Sequence, residues 1–120
     1  MAKQYDAPPA MQIDPNKTYT AIFKTEHGDI EIDLFAREAP VTVNNFVFLA
    51  RQGFYDGTVI HRIYADFVFQ GGDPSANGTG GPGYTIPDEL PTGDDPYPTG
   101  TLAMANTGQP NSGGGQWFIT

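Results

Sequence analysis

The sequence contains no cysteine, and only six of its 120 residues are lysine or arginine. Without cysteine the fold has neither disulfides nor a thiolate nucleophile. The net charge of −8 argues against nucleic acid or an anionic membrane as a partner, because both require a basic surface. Residues 1–17 show no apolar leader, and no run approaches the ~20 apolar residues that cross a bilayer. We therefore expect a soluble protein and, by default, a cytoplasmic one.

Groups for covalent or metal-assisted catalysis are also scarce. The only serines, Ser75 and Ser112, lie in glycine-rich stretches, and the only histidines, His27 and His61, do not form a zinc-type spacing. The glycine-rich segment 71–83 is followed by neither a Gly-Lys-Ser/Thr motif nor a helix pattern, which favours a compact loop over a phosphate site. We expect no metal and no cofactor. Composition alone leaves two classes open, a binding module or an enzyme without a covalent intermediate.

One cation stands alone in the second half of the chain. Over residues 52–120, Arg62 is the only lysine or arginine, against seven acids. One interpretation is an ion pair with Asp66 or Asp73, which spacing alone favours because structural pairs outnumber catalytic ones. The other is a rigid fork of donors presented to a ligand. His61 lies on the apolar face of the same predicted strand, and we expect it to be a satisfied core histidine.

The chain predicts an N-terminal arm, residues 1–17, and one domain, residues 18–120. The arm has three prolines and few large apolar side chains, so we expect it to be mobile and to lie along the surface. Residues 18–26 and 30–34 predict the strands of a β-hairpin that turns at residues 27–29.

A helix is predicted after the hairpin. Pro40 suits its first turn and Gly53 its end. Its apolar stripe consists of Val43, Phe46, Val47 and Ala50. Asn44 and Asn45 lie off this stripe, so we expect them to be solvated or to bond locally. The strands predicted later, at 59–64, 67–70, 101–106 and 116–120, are joined by long loops. This order predicts a mainly antiparallel sheet that curls toward a barrel, with the helix covering one open side.

Six short motifs occur in a fixed order within residues 18–120. They are Phe-Tyr-Asp-Gly-Thr (54–58), His-Arg-Ile (61–63), Phe-Val-Phe-Gln-Gly-Gly-Asp (67–73), Gly-Gly-Pro-Gly-Tyr (80–84), Met-Ala-Asn (104–106) and Gln-Trp-Phe-Ile-Thr (116–120). With the hairpin and the helix start at Ala39, they resemble the cyclophilin peptidyl-prolyl isomerases. The resemblance implies a mainly β fold, an antiparallel cyclophilin-like β-barrel with a covering α-helix. It also implies a barrel that is incomplete at the C-terminus, because such proteins continue for some tens of residues past the Gln116 strand.

The implied function is peptidyl-prolyl cis-trans isomerisation, which rotates X–Pro bonds and assists protein folding. Arg62 matches the catalytic arginine of the family. The implied substrate-binding residues are Phe67, Val68, Gln70, Gly78, Ala105, Asn106, Gln116 and Phe118. Strand alternation places Phe67 and Gln70 on opposite faces, so this assignment requires a twist or bulge before the glycine pair.

The resemblance also implies partners. These are proline-containing peptides, unfolded proteins and cyclosporin-type ligands, together with a missing C-terminal segment or a second chain. Without that segment we expect an unpaired sheet edge and wet apolar surface. The alternatives are a non-catalytic proline-peptide-binding module and an inactive cyclophilin fragment. A lectin-like β-rich binder rests only on the aromatic and glycine content.

Overall fold

A computed structural model describes residues 4–64, 68–90 and 98–120. Its elements are β1 (Tyr19–Thr25), β2 (Gly28–Leu34), α1 (Pro40–Arg51), β3 (Arg62–Tyr64), β4 (Val68–Gly71), β5 (Leu102–Met104) and β6 (Trp117–Ile119). Strands β1 and β2 form one antiparallel sheet, and the other four form a second antiparallel sheet in the order β3-β4-β6-β5. The predicted mainly β fold with one helix is confirmed. The described strands form two sheets, so closure into a barrel stays a prediction.

The β1–β2 hairpin turns slightly earlier than predicted. Thr25 pairs with Gly28, which leaves Glu26 and His27 as a two-residue turn. Gly28 has φ +120°, a conformation that favours glycine. The Thr25 hydroxyl donates to the Gly28 carbonyl (2.7 Å) and accepts from the His27 N–H (3.1 Å). The turn is therefore fixed by local bonds that side-chain alternation does not reveal.

Helix α1 begins at Pro40, and no side chain of its own N-terminal segment caps it. Glu89 caps it from elsewhere in the chain. Its carboxylate accepts from the N–H groups of Val41 (3.1 Å) and Thr42 (2.6 Å). A carboxylate here satisfies otherwise unpaired donors and suits the positive end of the helix dipole.

We expect Glu89→Ala to lower the free energy of unfolding by about 1 kcal/mol, the usual cost of losing an N-terminal cap. Urea unfolding of the two proteins measures the difference. Glu38→Ala is the matched control, since Glu38 is exposed and lies two residues before the start of the helix. Equal losses of stability in the two variants would show that removing one negative charge, and not losing the cap, causes the effect.

The buried stripe of α1 differs from the prediction at its C-terminal end. Val43 and Phe46 are buried, but Ala50 is exposed and Leu49 is fully buried in its place. The chain folds back after the helix, where the Phe54 N–H donates to the Leu49 carbonyl (3.0 Å). The returning chain therefore covers the Leu49 side of the last helical turn, which the predicted apolar stripe did not include.

The two asparagines of α1, Asn44 and Asn45, were predicted to be solvated or to bond locally, and this is wrong. They are only 3% and 1% exposed. The Asn45 amide donates to the Gly114 carbonyl (2.7 Å), and its oxygen accepts from the Tyr84 hydroxyl. Both partners are distant in sequence, which is why helical periodicity did not reveal them.

Asn44 anchors the N-terminal arm. Its side-chain oxygen accepts from the N–H groups of Gln12 (2.8 Å) and Ile13 (3.3 Å), and its amide donates to the Ala10 carbonyl (3.1 Å). Ile13 is only 6% exposed and packs in a cluster with Val43.

The start of the arm has a second anchor. The Tyr5 N–H donates to the Pro82 carbonyl (2.8 Å), and the Tyr5 ring packs edge-on against Phe48. Residues 4–17 therefore contact the domain at defined points along its surface, and the mobility of the arm stays a prediction.

The main core lies between the hairpin, the helix and one face of the four-stranded sheet. Phe46, Trp117 and Ile119 form its buried centre, and the Phe23 ring meets Trp117 at 4.9 Å. A cavity of about 640 Å³ remains beside it, lined by both sheets and α1. Apolar side chains half exposed or more include Ile22, Phe35, Val59 and Ile63. No helix in the described ranges is long and apolar enough to span a bilayer.

Candidate active site

One face of the four-stranded sheet carries most of the predicted site residues. Arg62 pairs with Gln70, Gln70 with Phe118, and Phe118 with Ala103 across four successive strands. Directly paired residues point to the same face, so these side chains form one row. Trp117 and Ile119, the neighbours of Phe118 in β6, point the other way and are buried in the core.

Further predicted residues flank this row. Val68 pairs with Tyr64, which places it on the same face as Gln70, two residues away. Beyond β5 the ladder continues, because the Ala105 N–H donates to the Gln116 carbonyl (2.9 Å). Ala105 and Gln116 therefore share the face of Phe118.

Of the predicted site residues that the structure describes, Asn106 and Gly78 do not join the row. Asn106 is exposed and follows the end of the ladder; its side chain accepts from the Gly108 N–H (2.9 Å) and shapes a local turn. The twist or bulge was predicted before the glycine pair, but residues 68–70 pair with β3 in regular register and without a bulge. Phe67 lies outside the described residues. The face that it occupies stays a prediction.

Arg62 is exposed at the edge strand β3. Its guanidinium carbon lies 5.9 Å from the centre of the Tyr64 ring, which is cation–π range. Within residues 4–64, 68–90 and 98–120 the only ion pair joins His27 to Glu26. The predicted pair with Asp73 is therefore wrong, while Asp66 falls outside the described ranges. The guanidinium donors remain available to a ligand on this face.

Asp73 is fully buried and is satisfied by backbone groups. Its carboxylate accepts from the N–H groups of Ser75 (2.7 Å), Asn77 (3.1 Å) and Gly78 (2.7 Å). Burial opposes the charged form, but these bonds, with one from Gly80, hold the pKa of Asp73 below its usual value. The local bonds explain why this carboxylate needs no arginine.

Gly78 lies beside the catalytic candidate. A Cβ atom placed on it would be 3.9 Å from Arg62 Nη2 and from His61 Nε2. His61 is half-buried, and neither of its ring nitrogens has a hydrogen-bond partner in the described part of the chain. The prediction of a satisfied core histidine is thus wrong in its hydrogen bonding. The glycine beside the ring has no side chain that could supply a donor or acceptor.

The two glutamines of the face are linked to each other. Gln70 Nε2 donates to Gln116 Oε1 (2.8 Å), and Gln116 Nε2 donates to the Gly80 carbonyl (2.9 Å). This chain of amides fixes both side chains between β4, β6 and the glycine-rich loop. It leaves the side-chain oxygen of Gln70, Oε1, without a bond to another described residue.

Two tyrosines behind the site hold its loops, and the sequence did not single them out. The Tyr55 hydroxyl donates to the Gly115 carbonyl (2.7 Å), and burial raises the pKa of Tyr55 well above its usual value. Burial raises the pKa of Tyr84 to about 12, with a smaller electrostatic contribution from the nearby Tyr5. Both hydroxyls act as donors and must stay protonated to do so.

We expect stability to fall as the pH rises from about 10 to about 12. The pKa of Tyr84 is raised from 10.0 in the unfolded chain to about 12, so the folded protein keeps the proton longer. The contribution is complete below pH 10 and is lost through this window. Thermal unfolding at several pH values measures it. Tyr84→Phe should flatten the slope and exposed Tyr64→Phe should not; the same slope in all three proteins would contradict the assignment.

Comparison with known proteins identifies the family. The model of the cyclophilin type peptidyl-prolyl cis-trans isomerase/CLD family matches residues 20–120. The chain belongs to the cyclophilin family. The resemblance carried by the six motifs is thereby confirmed.

Curated relatives that are named peptidyl-prolyl cis-trans isomerases are similar over most of this chain. A peptidyl-prolyl cis-trans isomerase of Synechococcus elongatus is 52% identical over 82% of this chain and 66% of its own length. One from Helicobacter pylori is 45% identical over 86% of this chain and 63% of its own. Isomerase B of Bacillus subtilis is 48% identical over 83% and 70%. The chain thus spans about two thirds of the length of these relatives.

Solved cyclophilins share the fold. The cyclophilin type isomerase of Cryptosporidium parvum, solved in the presence of the dipeptide Ala-Pro, matches with a TM-score of 0.79 at 34% identity. The match covers 85% of this chain and 67% of that one. AquaCyp293 from Hirschia baltica matches with a TM-score of 0.71 at 24% identity, over 88% and 60% of the two chains. The second likeness concerns the fold alone.

Proposed function

We propose that this cyclophilin chain catalyses cis-trans isomerisation of X–Pro bonds in peptides and unfolded proteins, and so assists protein folding. The observation that carries the proposal is the row on the exposed sheet face. In this row Arg62, which has no ion pair in the described chain, pairs with Gln70, and Gln70 pairs in turn with Phe118. Family membership and the names of the relatives, peptidyl-prolyl cis-trans isomerases, support the same reaction.

The reaction needs little from a protein. Rotation about the X–Pro bond meets a barrier of ~18–20 kcal/mol set by amide resonance, and it breaks no covalent bond. As the amide twists, the prolyl nitrogen loses conjugation and becomes a hydrogen-bond acceptor. A donor aimed at that nitrogen stabilises the transition state more than the planar substrate, which is the condition for catalysis.

Arg62 is our candidate for this donor. Its contact with the Tyr64 ring is worth only about 0.5–1 kcal/mol at an exposed site, so the side chain can turn toward a bound peptide. A carboxylate partner would instead compete for the same N–H groups. Since the protein carries a net charge of −8 and only six lysines and arginines, a permanent positive charge at this position is also uncommon on its surface.

The remaining roles follow the row and its flanks. Phe118, Val68 and Phe67 would form the apolar seat of the proline ring. Gln70, whose amide nitrogen is already bonded, would accept from the peptide backbone through its oxygen. Ala105, Asn106 and Gln116 would line the groove, and Gly78 its edge. The Ala-Pro dipeptide present with the Cryptosporidium parvum protein supports a proline ligand. Cyclosporin-type ligands and a cytoplasmic location stay predictions from the sequence.

The proposal is tested by NMR exchange spectroscopy on the peptide Ala-Ala-Pro-Phe, with this chain added in catalytic amounts. Uncatalysed exchange takes tens to hundreds of seconds. We expect it to become fast enough to give exchange cross-peaks, and saturation with the peptide to shift signals of β4 and β6.

Two other results would count against the proposal. Peptide-induced shifts without faster exchange would favour the non-catalytic proline-peptide-binding module. Neither shifts nor faster exchange would favour an inactive fragment. The same samples therefore separate the three functions.

A further inference from the structure

The loop between β4 and Tyr84 is organised around one buried carboxylate. Asp73 follows β4 directly and has no exposed surface. Its two oxygens collect three backbone N–H groups from the next five residues, and the Ala76 N–H donates to its carbonyl (2.9 Å). Charged acceptors form stronger bonds than neutral ones, so this set fixes the backbone as far as Gly78.

The loop also returns toward Asp73 at Gly80, where its backbone lies close to the carboxylate. A Cβ atom on Gly80 would lie 2.0 Å from Asp73 Oδ1 and 2.8 Å from the Ser75 hydroxyl. Only glycine fits at this point, because any side chain would displace the carboxylate. The carboxylate therefore determines the position of Gly80 as well as that of Gly78.

Both of these glycines contact the proposed active site. Gly78, with φ +88°, lies beside the Arg62 guanidinium. The Gly80 carbonyl accepts from Gln116, which in turn accepts from Gln70. The buried carboxylate of Asp73 thus fixes both Gly78, which lies beside Arg62, and Gly80, whose carbonyl binds the linked glutamines.

We infer that Asp73 is a positioning residue for the isomerase, acting on Arg62 through Gly78 and on Gln70 through Gly80 and Gln116. The inference rests on the proposed function, because it concerns the efficiency of that same site. Asp73 itself has no exposed surface and touches no substrate. Its effect is geometric, and displacements of about 1 Å at a reacting group can lower rates by up to about 10²-fold.

Asp73→Asn is the first test, because it keeps the size of the side chain. It places an NH₂ group among N–H donors that a carboxylate oxygen had satisfied. We expect kcat for Ala-Ala-Pro-Phe to fall about tenfold with KM within about threefold, since geometry and not peptide affinity is disturbed. The amide signals of Asn77 and Gly78 and the Arg62 Nε–H signal should shift together. Asp56→Asn, the same change at an exposed acid, should alter none of these.

Gly80→Ala is the second test, because its added methyl group would displace the Asp73 carboxylate while Asp73 itself is unchanged. The φ of Gly80 is not in the left-handed region, so the expected effect comes from the clash with Asp73 Oδ1. It should lower kcat and shift the same signals, and it keeps the inference testable if Asp73→Asn does not fold.

Full kcat in a folded Asp73→Asn or Gly80→Ala protein would overturn the inference. So would a lowered kcat without a shift of the Arg62 signal, since the effect would then not pass through the site. Wild-type chain without isomerase activity would instead count against the proposed function. The two failures are therefore distinguishable in one experiment.

Discussion

Arg62→Ala is expected to lower kcat/KM for isomerisation of Ala-Ala-Pro-Phe by about 10²–10³-fold, the usual cost of removing one donor to a transition state. The loss should appear mainly in kcat, because the donor acts on the twisted amide and not on the planar substrate. Arg62→Lys should recover little, since an ammonium group lacks the planar fork of the guanidinium. Folding should be nearly unaffected, because the side chain is exposed.

The matched control is Arg37→Ala. Arg37 is also exposed, and it lies between β2 and α1, outside the proposed site. We expect this variant to keep full activity, which separates loss of the donor from loss of one positive charge. Activity within about twofold of wild type in a folded Arg62→Ala protein would remove Arg62 from the mechanism.

Asn45→Ala is expected to lower the free energy of unfolding by about 3 kcal/mol. Two hydrogen bonds disappear at about 1 kcal/mol each, and buried partners are left unsatisfied at a further cost. One partner, the Gly114 carbonyl, belongs to the glycine-rich turn that leads into β6. Chemical denaturation with urea should show a lower midpoint at an unchanged slope.

Asn44→Ala is the matched comparison, because the adjacent asparagine is equally buried. Its partners belong to the arm, and their backbone groups can reach water once the arm is released. We therefore expect a smaller loss, about 1–2 kcal/mol. A loss at Asn44 equal to that at Asn45 would show that the arm, and not the glycine turn, is the more costly element to release.

Local patterns were sufficient for the elements that local forces specify. The alternation of 30–34 predicted β2, and Pro40 with Gly53 predicted the limits of α1 closely. Arg62 was identifiable because it has no other cation near it in sequence. The order of the second sheet, with β6 inserted between β4 and β5, depends on pairing between distant strands. Periodicity contains no information about such pairing.

The asparagines and Asp73 show this difference at single residues. Asn45 bonds to Gly114 across 69 positions, so no local rule could connect them. The bonds of Asp73 span only two to five positions. Its Asp-Pro-Ser sequence is typical of a turn closed by the aspartate side chain, so this signal was present in the chain.

Along β4, β5 and β6 the side chains that share a face with Arg62 alternate with side chains of the core, so these strands separate two kinds of selection. Under the proposed function, substitutions at 68, 70 or 118 would change peptide recognition, while those at 69, 117 or 119 would change the stability of the domain. Under the proposed function, the peptide preference could therefore change during evolution with little loss of folding stability. The same arrangement makes the strands intolerant of insertions. One extra residue in β4 or β6 would exchange the two sides, turning the recognition surface inward and the core outward at once.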